Sequence, residues 1–333
     1  MRDLTEEDRL AAEQAQQTVE IDPAPVDAAA RAALPQRAEW GTFVLILACH
    51  LIWGGALFGL AQLSQSAAVL VIGVMVVLHS SLCHEVLHGH PFRNRLLNEA
   101  LVFLPLNLCV PFGRFRDTHL QHHQDENLTD PYDDPESNFQ DPAVWAQLPV
   151  WHRSLLRVNN TLMGRMVLGP VIGQLCFMRL DLDLARRGQP GIARDWALHG
   201  IGVLLVIGMV ALSSLPFWAY CLGAYLGLAV LKIRTYLEHQ AHLDQNGRTA
   251  IVEGRGLLGG VLGFLFLHNN LHIVHHLYPG VPWHQMPALY RRHRQSFQTR
   301  NDGYVLDSYA SVFRRYLFKA KDPVPHPHWN SAE

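Results

Sequence analysis

Charge disappears from two long stretches of this chain. Residues 41–78 contain no Asp, Glu, Lys or Arg, and neither do residues 196–231. A helix crosses a bilayer with about 20 apolar residues, and each run is close to twice that length. Each therefore predicts two transmembrane helices joined by a tight turn, one turn falling near residues 62–66 and the other near residues 213–216. The expected fold is an all-α integral membrane protein with two transmembrane helical hairpins, four crossings in all. The polar remainder would form a helical cap on one side.

Shorter apolar segments refine this outline. Residues 96–112 carry Glu99, Pro105 and Pro111, which suits a shallow or re-entrant hairpin better than a crossing. Residues 168–180 and 257–267 are too short to span and are expected to lie as helices in the membrane interface. Residues 287–297 and 306–318 have helical periodicity. They place Arg291, Arg292 and Arg294, then Arg314 and Arg315, where lipid phosphates or an acidic partner could be met.

Composition changes the picture mainly through the sign of the charge. Only 17 % of residues are charged against 49 % hydrophobic, and every Lys and Arg lies outside the two uncharged runs. By the positive-inside rule both termini and the whole charged cap are cytoplasmic, which predicts a multi-pass protein of the cell's inner membrane. The N-terminus begins Met-Arg-Asp-Leu-Thr-Glu-Glu and lacks a signal-peptide pattern. Cys49, Cys83, Cys109, Cys176 and Cys221 are scattered without a C-x-x-C pair and read as small apolar residues, not as a disulfide framework or iron–sulfur site. There is no internal repeat, nucleotide-binding glycine motif or strand-rich region, and nothing points to a nucleic-acid partner.

The chemistry lies in the histidines, 20 of them in 333 residues. Three clusters stand out: His84-Glu85-Val86-Leu87-His88, His119-Leu120-Gln121-His122-His123 and His272-Ile273-Val274-His275-His276. On a helix, spacings of three and four put side chains on one face, so each cluster can aim its imidazoles at one point. The eight residues exceed the four ligands of a structural zinc or the three of a catalytic one, but suit two iron ions at five or six coordination. A rival reading starts from the first cluster, which also spells the H-E-x-x-H zinc-protease motif with Glu85 as general base. It leaves both H-x-x-H-H clusters unexplained. His50, His79 and His199 are single histidines in apolar sequence and read as structural. The acidic loop that begins at Asp125 could orient His122 and His123 through carboxylate hydrogen bonds, and Glu85, Glu238 and Asn270 could serve other imidazoles in the same way. His242 and His268, each within a turn of a proposed ligand, are further metal or supporting candidates.

Together the clusters resemble the three histidine boxes of the membrane fatty acid desaturase and hydroxylase family. The likeness covers about residues 40–300. It extends to the Leu-Thr-Asp-Pro and Asp-Pro-Glu-Ser that follow the second box, to Arg234-Thr-Tyr-Leu-Glu-His239, and to Asn269-Asn-Leu ahead of the third box, where a bacterial subgroup is most similar. The resemblance implies a catalytic domain over residues 40–320, between a flexible N-terminal arm with some helix (1–39) and a short tail (321–333). It assigns His84, His88, His119, His122, His123, His272, His275 and His276 as ligands and adds His239 as a ninth. One turn before His239, where animal acyl-CoA members carry an asparagine, stands Thr235.

By the same resemblance, two non-haem irons and O2, with two electrons from outside, remove hydrogen from an unactivated C–H bond of an acyl lipid or thioester. Desaturation is the expected outcome. Hydroxylation, or oxidation of a smaller apolar amino-acid-derived molecule, is the alternative with the same ligands. With no cytochrome b5-like His-Pro-Gly-Gly segment and no paired cysteines, the electron donor is expected to be a separate protein, a ferredoxin with its reductase. Arg291, Arg292 and Arg294 are the expected docking point for a lipid headgroup or that donor.

Overall fold

The computed structural model describes residues 24–124, 127–242 and 249–329. Helix α1 (Ala24–Ala33) precedes a first pair, α2 (Trp40–Leu63) and α3 (Gln65–Leu87). Two cap helices follow, α4 (Arg95–Leu101) and α5 (Phe112–Gln124). Next come α6 (Pro142–Gln147), α7 (Val150–Asn159), α8 (Leu162–Val167) and α9 (Gly169–Arg186). The second pair is α10 (Ile192–Ala211) and α11 (Phe217–Thr235). The rest is β1 (Ile251–Val252), α12 (Gly256–Leu265), α13 (His272–Leu277), α14 (Met286–Arg292), α15 (Arg294–Arg300), β2 (Val305–Leu306) and α16 (Tyr309–Tyr316).

Four helices, α2, α3, α10 and α11, are long and apolar enough to cross a membrane. They are the four expected crossings, and their outward faces carry exposed Leu47, Leu51, Leu70, Leu204 and Trp218. Such a surface suits lipid, not water. Each turn is as tight as expected. Ser64 alone separates α2 from α3: it is extended, and its hydroxyl caps α3 by accepting from Ala67 N. Between α10 and α11, Ser213 donates back to the Val210 carbonyl and Pro216 starts the next helix.

The two hairpins meet along α3 and α11 through glycines. A Cβ on Gly223 would lie 2.9 Å from the Val69 oxygen, and one on Gly227 2.6 Å from the Gly73 oxygen, so only hydrogen permits this approach. The two segments expected as short interfacial helices are helices, the first of them longer than expected, and each has an exposed apolar stripe. Along α9 the exposed apolar residues Val171, Leu175, Met178 and Leu182 form one stripe, and along α12 Leu257, Val261 and Phe264 form another.

Three local expectations change. α3 does not stop at the end of its uncharged run but continues to Leu87, because the cap buries that last stretch, and His84 lies inside the helix. Residues 96–112, expected as a shallow or re-entrant hairpin, hold one short helix followed by a turn. The helix ends at Leu101, and the chain then turns through Pro105 and Asn107, whose side chain accepts from Cys109 N and Val110 N. In the expected arm, α1 buries Val26 and Ala30 against a cap core that includes Ile273, Met286 and Phe297. That core is tied by the parallel pair β1–β2, with Ile251 opposite Val305.

Candidate metal centre

Four segments bring the histidines together. α3 supplies His84 and ends on His88; α5 supplies His119, His122 and His123; the segment after α11 supplies His239; α13 supplies His272, His275 and His276. They form two groups, His84, His88, His119, His123 and His275 in one and His122, His239, His272 and His276 in the other. Within each group the ligand atoms all lie within 4.8 Å of one another, so each could hold a metal ion. The rings of His123 and His276 stack at 4.3 Å, which makes the groups neighbours.

The spacing inside each group is informative. In the first, Nε2 of His119 is 2.9 Å from that of His84 and 3.0 Å from that of His123, which is 2.9 Å from Nε2 of His275. In the second, Nε2 of His239 is 3.1 Å from that of His122 and 3.2 Å from that of His272. Metal–imidazole bonds of roughly 2.0–2.1 Å put two ligands about 2.9 Å apart at 90° and about 3.4 Å apart at the tetrahedral angle. The first group's distances match the right-angled edge of a five- or six-coordinate site, and the second group's lie between the two values.

Tautomers point the same way. Nδ1–H of His119 donates to Glu136 at 2.7 Å, that of His122 to Asp134 at 2.7 Å and that of His272 to the Asn269 oxygen at 2.9 Å. With Nδ1 as the donor, Nε2 of each of these rings is left to face the centre of its group, where it can meet a cation or an N–H of the facing imidazole. Nε2 of His88 is buried with no hydrogen-bond partner among the described residues.

Electrostatics agree. Burial first, then neighbouring imidazoles, hold His88, His239, His272, His275 and His276 well below the ordinary histidine pKa, and the same causes bring His123 to about 3. These rings stay neutral, the form that binds metal. Burial also opposes charge on His122, but Glu136 and the bond to Asp134 outweigh it and raise its pKa to about 9. Glu136 resists protonation in turn. Burial would raise its pKa, yet His119 and His122 hold it well below the carboxylate range.

Of the other expected site residues, Asp125 lies outside the described residues. Glu85 accepts from the backbone N–H of Trp283 at 3.2 Å and belongs to neither metal group. Glu238 forms an ion pair with Arg234 at 2.9 Å and stands 4.0 Å from Nδ1 of His272. The Asn270 amide donates to the Val252 carbonyl, so the imidazole contact belongs to its neighbour Asn269. His242 pairs with Asp302 at 3.3 Å, and His268 stacks on Trp283; neither joins a group. Arg291 and Arg292 are exposed, whereas Arg294 is held by Glu253 at 2.6 Å. The carboxylates that serve the imidazoles, Asp134 and Glu136, come from the acidic loop, where no periodicity singles them out and the Asp-Pro-Glu-Ser likeness is the available signal.

A cavity of about 580 Å³ runs between the hairpins. Its inner wall includes Cys83, next to His84, and Phe115, whose ring centre is 6.5 Å from that of His84 and 5.6 Å from that of His119. Thr235 and His199 also line it. None of the nine histidines lines this cavity itself, nor a separate recess of about 730 Å³ near α1, which lacks the contact through Phe115.

A family model described as fatty acid desaturase matches residues 63–307, a stretch that contains all nine histidines. No curated protein matches the chain.

Proposed function

The chain belongs to the fatty acid desaturase family, and from that premise we propose an O2-dependent, two-iron oxidoreductase that removes hydrogen from an apolar chain and leaves a double bond. The observation that carries this reading is the pairing of two histidine groups with a cavity whose wall includes Phe115, the ring that lies against His84 and His119 of the first group. His84, His88, His119, His123 and His275 would hold one iron, and His122, His239, His272 and His276 the other. Bound iron would supply the O2 reduction and the oxidising power that no side chain possesses.

The chain's own residues hold, orient and exclude. Glu136, Asp134 and Asn269 fix their imidazoles by accepting Nδ1–H, which turns each Nε2 inward. Phe115 and the apolar wall keep water from a chain lying beside His84 and His119. Leu96, Phe103 and Leu198 line the cavity and are exposed, which suits entry from the bilayer. The zinc-protease alternative needs Glu85 free to act on a metal-bound water, and its carboxylate is engaged by Trp283.

The placement of Lys and Arg outside the hairpins favours an inner-membrane protein with its site on the cytoplasmic side. We assign electron supply to a separate ferredoxin with its reductase; exposed Arg291 and Arg292 suit docking of an acidic donor or a lipid headgroup. The test is reconstitution of iron-loaded protein with reduced ferredoxin, O2 and candidate acyl lipids, read by mass spectrometry. Loss of two hydrogens supports desaturation. Gain of one oxygen makes the protein a hydroxylase, and activity with a single zinc and no iron overturns the two-iron reading.

A further inference from the structure

Beyond residue 307, where the family match ends, the chain returns to the second histidine group. In that group His272 and His276 ride on α13 and His122 on α5, but α11 ends at Thr235 and His239 stands in the extended chain beyond it. No helix fixes its place. A bridge to Thr249 holds its backbone, and the ammonium of Lys321 donates to its carbonyl. The Lys321 side chain is 7 % exposed, and the next residue, Asp322, accepts from the side chain of Gln240 at 3.0 Å. Two consecutive residues thus grip two consecutive residues of the site segment. The N–H of Lys321 donates in turn to the Tyr236 hydroxyl at 2.8 Å, which ties the same stretch to the end of α11.

His326 reaches a second ligand through the acidic loop. His122 is oriented by one oxygen of Asp134, and the other oxygen accepts from the N–H of Thr129 at 2.9 Å. Thr129 has φ 74°, a conformation that a β-branched residue keeps only where its surroundings hold it. His326 supplies such a hold. The N–H of His328 donates to its Nδ1 at 3.2 Å, so its Nε2–H is the one that donates to the Thr129 hydroxyl at 3.0 Å. The backbone closes the same contact: Gln140 N donates to the Val324 carbonyl and His326 N to the Gln140 carbonyl, both at 2.9 Å.

Building on the two-iron reading, we infer that residues 321–326, expected from the sequence as a tail outside the catalytic domain, form a strap that sets the second metal group. Lys321 and His326 are its positioning residues. The strap reaches two of that group's four ligands, His239 directly and His122 by way of Thr129 and Asp134. In the first group it approaches only His119, whose partner Glu136 belongs to the same loop. A metal at the second group therefore depends on the strap more than a metal at the first.

The test reads metal retention in the full chain, loaded anaerobically with ferrous iron in detergent and dialysed against graded chelator. Lys321→Met keeps the stem and removes the donor. His326→Phe keeps a ring against Phe139, now 4.9 Å away, and removes the donor, whereas His326→Gln keeps one. One iron per chain should leave Lys321→Met at about 10- to 100-fold less chelator than wild type needs, while the other leaves as in wild type. His326→Phe should act in the same direction, and His326→Gln should restore most of the retention. Added to His276→Ala, which disables the second group, Lys321→Met should leave the remaining iron untouched; added to His84→Ala, it should release it. Loss of both irons together with a lower thermal midpoint of the metal-free protein would make the strap a structural cover and overturn the inference, as would unchanged retention in both Lys321→Met and His326→Phe. A wild type that holds a single metal would instead refute the two-iron reading, and the strap would then stand or fall on whether Lys321→Met releases that metal.

Discussion

Substituting Gly227 with alanine should loosen the metal site from a distance. The new Cβ would lie 2.6 Å from the Gly73 carbonyl oxygen and 2.7 Å from Cβ of Val76, both on α3. A carbon–oxygen contact needs about 3.3–3.6 Å, so α3 and α11 must part by roughly 0.7 Å. α3 ends on His84 and His88, and α11 leads to His239, while α5 and α13 donate to both groups. Parting the hairpins therefore strains both groups at once, by about a third of a metal–nitrogen bond of roughly 2.1 Å. Overpacking of this kind costs about 1–3 kcal/mol, which is about 5- to 150-fold in metal affinity if the loaded state carries it. Gly73→Ala should be milder, since its Cβ would stand 3.1 Å from the Gly223 oxygen, and Gly208→Ala, which meets nothing within 4 Å, should be neutral. Iron per chain, measured after dialysis against graded chelator and read beside the thermal midpoint, ranks the three. Equal retention of iron by all three would refute the idea that glycine contact sets the ligand spacing.

Asp134→Asn and Glu136→Gln should each lower metal affinity about 10- to 100-fold, because each carboxylate fixes one imidazole, whereas Glu85→Gln should keep its metal; a reversed order in a chelator competition would count against the assigned supports. Cysteine at Ser64 or Ser214, both exposed in the turns, should react with a membrane-impermeant reagent from outside the cell, and labelling only from the cytoplasm would overturn the topology. Metal-free protein should lose stability as pH falls below about 6.5: His88, His123, His239, His272, His275 and His276 have depressed pKa values, so they protonate in the unfolded chain before they do in the fold. His122, raised to about 9, has the opposite sign and is a minority. Thermal midpoints that rise on acidification would contradict this.

The crossings were legible because absence of charge is a one-dimensional signal, and the bilayer permits few structures without it. The three boxes were legible for a similar reason, since ligands spaced along one helix leave a period in the sequence. His239 has no such neighbour and was reached only by family likeness. What stayed hidden depends on distant contacts. Asp134 and Glu136 stand in the Asp-Pro-Glu-Ser of the family likeness, but nothing local says which imidazole each would serve, and nothing local distinguishes Asn269 from Asn270. α3 outruns its uncharged stretch because the cap buries residues as polar as His84 and Glu85. Arg294 was free in the sequence and is bound to Glu253 only through the approach of α15 to β1.

The same contacts bear on how the protein folds. Nine imidazoles from four separated segments converge, and among the described residues their outer nitrogens have few supports, Glu136, Asp134, Asn269 and a long contact from Thr249 to His239. Bringing the inner nitrogens to about 3 Å gains most when a cation lies among them, so cap closure and metal binding draw on the same free energy. The hairpins, held by glycine contacts and lipid-facing apolar surface, do not depend on that step. Metal loss should therefore loosen α5 and α13 while α3 and α11 stay paired. Hydrogen exchange on metal-free and metal-loaded protein can read this: protection lost around His119–His123 and His272–His276 but kept along residues 69–77 is the expected result. Equal loss in both places would mean that the metals hold the membrane core as well.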